Sequence, residues 1–146
     1  MSGIVAVLDT NIFLNVLNRE EVFLEASSEV LRRVDAAEFD GITSVVTVAE
    51  LCAGYDATND GLARDSLLRR LYGSRGLRVL DVDRRTAELA GSLRAEFGLA
   101  LPDAIVAATG ITHGATHVIT HDDGLAPARP RIRPVTASSF LRMLRP

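Results

Sequence analysis

The first apolar run, at residues 4–8, is uninterrupted and stops at three polar residues, Asp9, Thr10 and Asn11. A run that short and that apolar predicts a strand buried on both faces, with the polar triplet marking where the chain leaves the core. Further short runs at residues 42–44, 77–82, 118–120 and 132–135 read in the same way. The run at 42–44 is brief enough to be either a strand or an extended entry to the next helix. At 77–82 apolar residues alternate with Arg78 and Asp81, which predicts a strand at an edge or half exposed, and at 132–135 Pro134 removes a ladder donor, which predicts an edge strand.

Between these runs the apolar spacing turns helical. Residues 12–18 predict a short helix or turn. Residues 21–37 predict a longer helix with Phe23, Ala26, Val30 and Val34 as its buried stripe and Glu25, Glu29, Arg32 and Arg33 opposite. A helix from Ser44 or Thr47 to about Tyr55 follows. The next starts at Gly61, carries Leu67, Leu68, Leu71 and Tyr72 on one face, and is stopped by Gly73 and Gly76. Asp83 caps a helix whose inward positions are Ala87, Ala90, Leu93 and Phe97, and Gly98 ends it. Pro102 suits the first position of a helix, where its missing N–H would have no partner anyway. Residues 104–111 are apolar nearly all round, which predicts burial and makes Asp103 conspicuous. Residues 137–144 form a closing helix. Strands alternating with helices predict an α/β fold, a three-layer α/β/α sandwich around a parallel sheet of four to five strands. The length suits a single domain over 1–146, with no linker.

Composition narrows the chemistry. The sixteen basic residues are all Arg, so Lys-dependent phosphate loops, Schiff-base chemistry and receiver-type phosphoacceptor sites are set aside. A formal net charge of −3 argues against gripping nucleic acid by bulk electrostatics, so any such contact must be local. Arg75, Arg78, Arg84 and Arg85 form one cluster and Arg129, Arg131 and Arg133 another. Each is either a solvated face or a phosphate contact. The single Cys52 has no intramolecular partner, and no apolar run approaches the length of a membrane span; a reducing, cytoplasmic setting is expected.

Four acidic residues stand where a merely solvating charge would be out of place: Asp9, Glu50, Asp103 and Asp122. Each has an ordinary explanation. Asp9 can cap a helix, and Glu50 stands at capping-box spacing from Thr47. Asp103 sits in a first helical turn, and Asp122 is a turn residue before Gly124. Their shared position is left unexplained. Asp9 and Asp122 end strands, while Glu50 and Asp103 are expected at helix starts, so all four can face one edge of a parallel sheet. Two unit charges about 4 Å apart repel by roughly 4 kcal/mol at an effective dielectric near 20, so such a cluster must hold protons or a cation. Mg²⁺ suits all-oxygen ligands, with Mn²⁺ as the alternative. Zn²⁺ is disfavoured, because Gly114 and a strand onset break the helix that would align His113, His117 and His121.

The stretches Val7-Leu-Asp-Thr-Asn11, Thr47-Val-Ala-Glu-Leu51, Leu101-Pro-Asp-Ala-Ile105 and Ile119-Thr-His-Asp122, in that order over nearly the whole chain, resemble the PIN-domain ribonucleases, and in particular the VapC-type toxins of toxin–antitoxin pairs. The resemblance implies that Asp9, Glu50, Asp103 and Asp122 form the acidic catalytic cluster. Asp9 and Asp103 would be the first metal ligands and Glu50 and Asp122 further candidates, with Thr10 and Asn11 supporting the metal waters or the substrate. The fourth stretch departs most: His121 stands where Asn or Arg is common, and Asp123 is a second candidate for the fourth carboxylate. The implied activity is Mg²⁺-dependent hydrolysis of RNA, with tRNA and rRNA among the candidates. The implied partners are a small antitoxin and a second copy of the chain in a homodimer. Two rivals stand beside this reading. One is a metal-binding module of the same fold without turnover or toxin role. The other is a haloacid-dehalogenase-type phosphohydrolase, which would need a second Asp where Asn11 stands. With two Tyr and no Trp, base stacking is expected to be limited.

Overall fold

The computed structural model describes residues 3–144. Five strands, β1 (Val5–Leu8), β2 (Asp40–Ser44), β3 (Leu77–Leu80), β4 (His117–Ile119) and β5 (Arg133–Val135), form one parallel sheet in the order β3-β2-β1-β4-β5. The short run at 42–44 is therefore a strand, and β3 and β5 are the two edges, as the alternation in one and Pro134 in the other predict. Val7 lies opposite Ile42 on one side and Val118 on the other, which puts β1 at the centre.

Side chains alternate across the sheet, so β1 feeds two cores. Val7, Ile42 and Val118 face Ala90 and Leu93 of α5 (Arg84–Phe97) and Ala104, Ala107 and Ala108 of α6 (Leu101–Thr112). Ala6, Leu8 and Ile119 face the opposite way. There they meet α1 (Thr10–Leu17), α2 (Leu24–Asp35), α3 (Val45–Ala57), α4 (Gly61–Gly73) and α7 (Ala137–Met143) through residues such as Phe13, Val30, Leu51, Leu71 and Phe140. This is the expected α/β/α sandwich, and β1 is buried on both faces. Gly110 lets α6 approach: a Cβ there would lie 2.6 Å from Val7 Cγ2.

Local differences from the sequence expectation have physical causes. Helix α2 begins at Leu24, and Phe23 is its cap residue rather than the first member of the buried stripe. On α4, Leu71 is buried but Tyr72 is 61% exposed, because the next layer covers only one side of that helix. On α5, Thr86 takes the inward position expected of Ala87, which is exposed. Gly98 ends α5 in the left-handed conformation (φ 70°), as predicted. Helix α6 starts one residue early, which places Pro102 second. Residues Asp123–Ala128 form a 3₁₀ helix, unforeseen because Pro127 interrupts the period, and it buries Leu125 and Ala128. No single helix among the described residues is long and apolar enough to cross a membrane.

The strand order reverses direction between β1 and β4. In an open parallel sheet, that seam, beyond the carboxyl ends of the strands, is where a crevice forms.

Candidate active site

Asp9 lies just past β1 at this seam and is only 5% exposed. It caps α1, as one reading of the sequence allows: its Oδ1 accepts the Thr10 N–H at 2.9 Å. Its other oxygen is held from two further directions. Thr120, just past β4, donates its hydroxyl to Oδ2 at 2.8 Å, and Asn11 Nδ2 donates to the same oxygen at 3.0 Å. Capping thus accounts for one oxygen of this carboxylate and leaves the other directed at the seam.

Glu50 is placed differently from the expectation. Helix α3 is capped by Ser44, whose hydroxyl accepts from Val46 N–H, so Glu50 stands in the second turn and no Thr47–Glu50 capping box forms. With the cap supplied elsewhere, Glu50 points to α1. Its Oε1 accepts the Thr10 hydroxyl at 2.7 Å, and Thr10 Oγ1 in turn lies 2.9 Å from Thr47 Oγ1. An ionised carboxylate can only accept, so Thr10 donates to Glu50 and Thr47 donates to Thr10.

Asp103 is in the first turn of α6, where N-terminal peptide dipoles favour an anion. Even so, its carboxyl is pushed up to about 6, first by burial and then by the charges of Asp9, Asp122 and Glu50. Asp9 is also raised, mainly by burial, against the opposing pull of the Thr120 and Thr10 hydrogen bonds; Glu50 and Asp122 raise it further. Asp122 caps the 3₁₀ helix by accepting Gly124 N–H. Asp122 raises both Asp9 and Asp103, and its Oδ2 and that of Asp103 both lie against Gly124. The structure therefore brings Asp9, Glu50, Asp103 and Asp122 within electrostatic reach of one another.

Among the described residues, no Arg or His forms an ion pair with any of these four carboxylates. Nor is any group of three or more His, Cys, Asp or Glu side chains drawn into a ready-made chelate. All-oxygen donors without a cation from the protein suit a hard divalent ion. They do not fit Zn²⁺: the three histidines are separately engaged, His113 with Thr109 O, His117 with Thr116 Oγ1, and His121 with Asn15.

Residues outside the acidic set hold this edge together. Asn11 spends its amide within the protein: Nδ2 donates to Asp9 and to Thr120 Oγ1, and Oδ1 accepts the His121 N–H. His121 Nε2 accepts Ala137 N–H at 3.2 Å, which leaves Nδ1 protonated to donate to Asn15 Oδ1 at 2.7 Å. Its ring stacks on Phe23, with centroids 4.1 Å apart and planes inclined by 13°. Burial pushes its pKa down, consistent with that neutral tautomer. Gly124 completes the cradle, since a Cβ there would lie 2.5 Å from Asp103 Oδ2. Thr120 is not among the expected site residues; as the first polar residue after the apolar pair Val118-Ile119 it stands where Asp9 stands after β1, and that is the signal that marks it.

The family model for the PIN domain matches residues 6–129. Among solved structures, a toxin–antitoxin complex from Klebsiella pneumoniae is similar at 23% identity, with 90% of this chain and 97% of that chain covered and a TM-score of 0.68. FitAcB from Neisseria gonorrhoeae is similar at 26% identity, covering 91% and 98%, with a TM-score of 0.67. VapBC-5 from Mycobacterium tuberculosis, a member of the VapBC family of toxin–antitoxin systems, is similar at 25% identity, covering 90% and 98%, with a TM-score of 0.59. No curated protein sequence gives a significant match.

Proposed function

The chain belongs to the PIN-domain family, and on that premise we propose that it is the toxin of a toxin–antitoxin pair, a Mg²⁺-dependent endoribonuclease that hydrolyses phosphodiester bonds in RNA. The observation that carries this reading is the mutual charge influence of four carboxylates, Asp9, Glu50, Asp103 and Asp122, with Asp103 pushed up to about 6 and, among the described residues, no cation from the protein paired with them. Asp9 and Asp103 would hold the ion, with Glu50 and Asp122 beside it; Mn²⁺ is the alternative occupant. When bound, the ion supplies Lewis acidity, lowering the pKa of water and offsetting charge on the phosphoryl oxygens.

The chain's own residues do the rest by position. Thr120 and Asn11 fix Asp9 Oδ2. Glu50 is exposed and has no capping duty, and with Oε1 engaged by Thr10 its Oε2 takes the proton from the attacking water. The substrate is RNA presented as an exposed single strand, and rim arginines offset the repulsion between its phosphates and the acidic edge. The similar solved structures that are toxin–antitoxin complexes support a cognate antitoxin for this chain. A homodimer and a cytoplasmic setting complete the proposal. The phosphohydrolase alternative falls with the family assignment.

The experiment is sequencing of RNA 5′ ends after induction of the wild-type chain and of Asp9→Asn. New ends that appear only with the wild type, and that purified protein reproduces with Mg²⁺ but not in excess EDTA, are expected. Equal cutting in EDTA would overturn the metal-dependent mechanism, and no cutting of any RNA would leave the metal-binding module without turnover as the better reading.

A further inference from the structure

The acidic edge continues into a groove of about 280 Å³ whose walls include Phe23, His121, Asp122, Arg129, Val135 and Thr136. Its composition differs from the carboxylate cluster that it adjoins. One wall carries the Phe23–His121 stack, and Arg129 lines the same groove. Arg129 is exposed, and among the described residues its guanidinium makes no ion pair or side-chain hydrogen bond.

The position of Phe23 is unusual for this chain. Phe13, Phe39 and Phe140 are buried in one core, and Phe97 packs against the other. Tyr55 and Tyr72 stand on α3 and α4, and neither lines this groove. Phe23 is thus the one aromatic besides His121 in the groove, and it sits at the entrance to α2 with no cap bond to make. The His121 ring cannot turn away, because both of its nitrogens are hydrogen bonded. A fixed aromatic surface, an unpaired guanidinium and an adjoining acidic edge match the pattern of single-stranded nucleic acid: base faces against rings, phosphates against Arg, and the reacting phosphodiester at the carboxylates.

Building on the nuclease reading above, we propose that this groove is a nucleotide subsite, in which a base next to the scissile phosphate lies against the Phe23–His121 stack and its phosphate is held by Arg129. Asp122 lines the groove and also belongs to the acidic cluster, so it joins the two regions. The subsite selects unpaired RNA, because a base held in a duplex presents no free face.

The test uses single-stranded RNA oligonucleotides carrying 2-aminopurine, bound to the Asp9→Asn protein in Mg²⁺ so that nothing is cut. Phe23→Leu is expected to weaken binding about 5- to 100-fold and to abolish the stacking quench of 2-aminopurine, and Phe23→Tyr to restore both. Arg129→Gln is expected to lower the slope of log K against log salt by about 0.7. Circular dichroism and melting curves check that each variant is folded. If folded Phe23→Leu and Arg129→Gln bind as the parent does, with the same quench and slope, while the wild type still cuts RNA, the subsite is wrong and the nuclease reading stands. Variants that handle RNA normally but escape neutralisation by the antitoxin assign the groove to a peptide and overturn the subsite. Failure of the wild-type chain to bind or cut any RNA removes the nuclease reading and the subsite together.

Discussion

Thr120 donates its hydroxyl to Asp9 Oδ2 at 2.8 Å, joining the residue after β4 to the residue after β1 across the seam where the sheet order reverses. The same hydroxyl oxygen accepts from Asn11 Nδ2 and from Asp122 N–H. One side chain therefore fixes the distance between two members of the acidic cluster.

Replacing Thr120 with Val keeps the shape and removes the hydroxyl. A buried carboxylate loses a charge-assisted hydrogen bond, which costs about 1.5–3 kcal/mol of stability at neutral pH. The Asp9 pKa is expected to rise further, because the largest influence lowering it is removed. Denaturant unfolding reads the first effect, and an upward shift of the acid limb of the cleavage pH profile reads the second. Thr120→Ser should recover both.

Asp103 makes the ion-free protein respond to pH. Its folded-state pKa, about 6, lies above the ordinary carboxylate value, so the folded state holds this proton more tightly than the unfolded chain does. Its contribution to stability is greatest at low pH and is lost as pH rises from about 4 through 6. Asp103→Asn is therefore expected to stabilise the ion-free protein at pH 7 by on the order of 1 kcal/mol, a value discounted for the partial exposure of the group. Melting temperatures in EDTA measure this. Added Mg²⁺ should raise the wild-type melting temperature at pH 7 and leave Asp103→Asn nearly unmoved.

His121 acts in the opposite sense. Its pKa is lowered in the folded protein, so acidification through the ordinary histidine range takes stability away. In the Asp103→Asn background, where the carboxylate contribution is reduced, melting temperature is expected to fall between pH 7 and pH 5.5. His121→Asn retains the donor position that meets Asn15 but not the acceptor for Ala137 N–H, and should lose about 1–2 kcal/mol with less dependence on pH. Thermal melts across that range separate the two.

Gly124→Ala brings a Cβ against Asp103 Oδ2, which must swing aside. The fold tolerates this, because the displaced atom ends a side chain and is not backbone. Mn²⁺ affinity and RNA cleavage should each drop about 10- to 100-fold while the melting temperature holds within a few degrees. Calorimetric titration with Mn²⁺ reads the affinity without relying on turnover.

The layered fold was readable because β1 and α6 are apolar almost throughout, and because Asp83 and Gly98 punctuate α5 in ways that local chemistry alone dictates. The 3₁₀ helix at Asp123–Ala128 was not, since what holds it is burial of Leu125 and Ala128 rather than a repeating pattern. The four carboxylates stand out as acids at strand ends or expected helix starts in apolar surroundings, although Glu50 lies in the second turn of a helix whose start, at Ser44 or at Thr47, the pattern leaves open. The hydroxyl and amide network around them could not be read. Thr120 and Asn11 meet only once β1 and β4 are neighbours, and Phe23 looked like core because its helical spacing is the same whether its ring meets a core or a histidine.

The central strand also sets a timetable. β1 pairs with β2 after a short excursion, but its other neighbour, β4, begins at His117, and Ala6 must wait for that residue. A pairing so distant along the chain closes late. During synthesis the polypeptide therefore carries Asp9 and Glu50 out of the ribosome well before Thr120 and Asp122 exist to complete the edge. The acidic edge is complete only once residue 122 has been made and β4 has paired, so any chemistry that needs all four carboxylates waits for that late pairing.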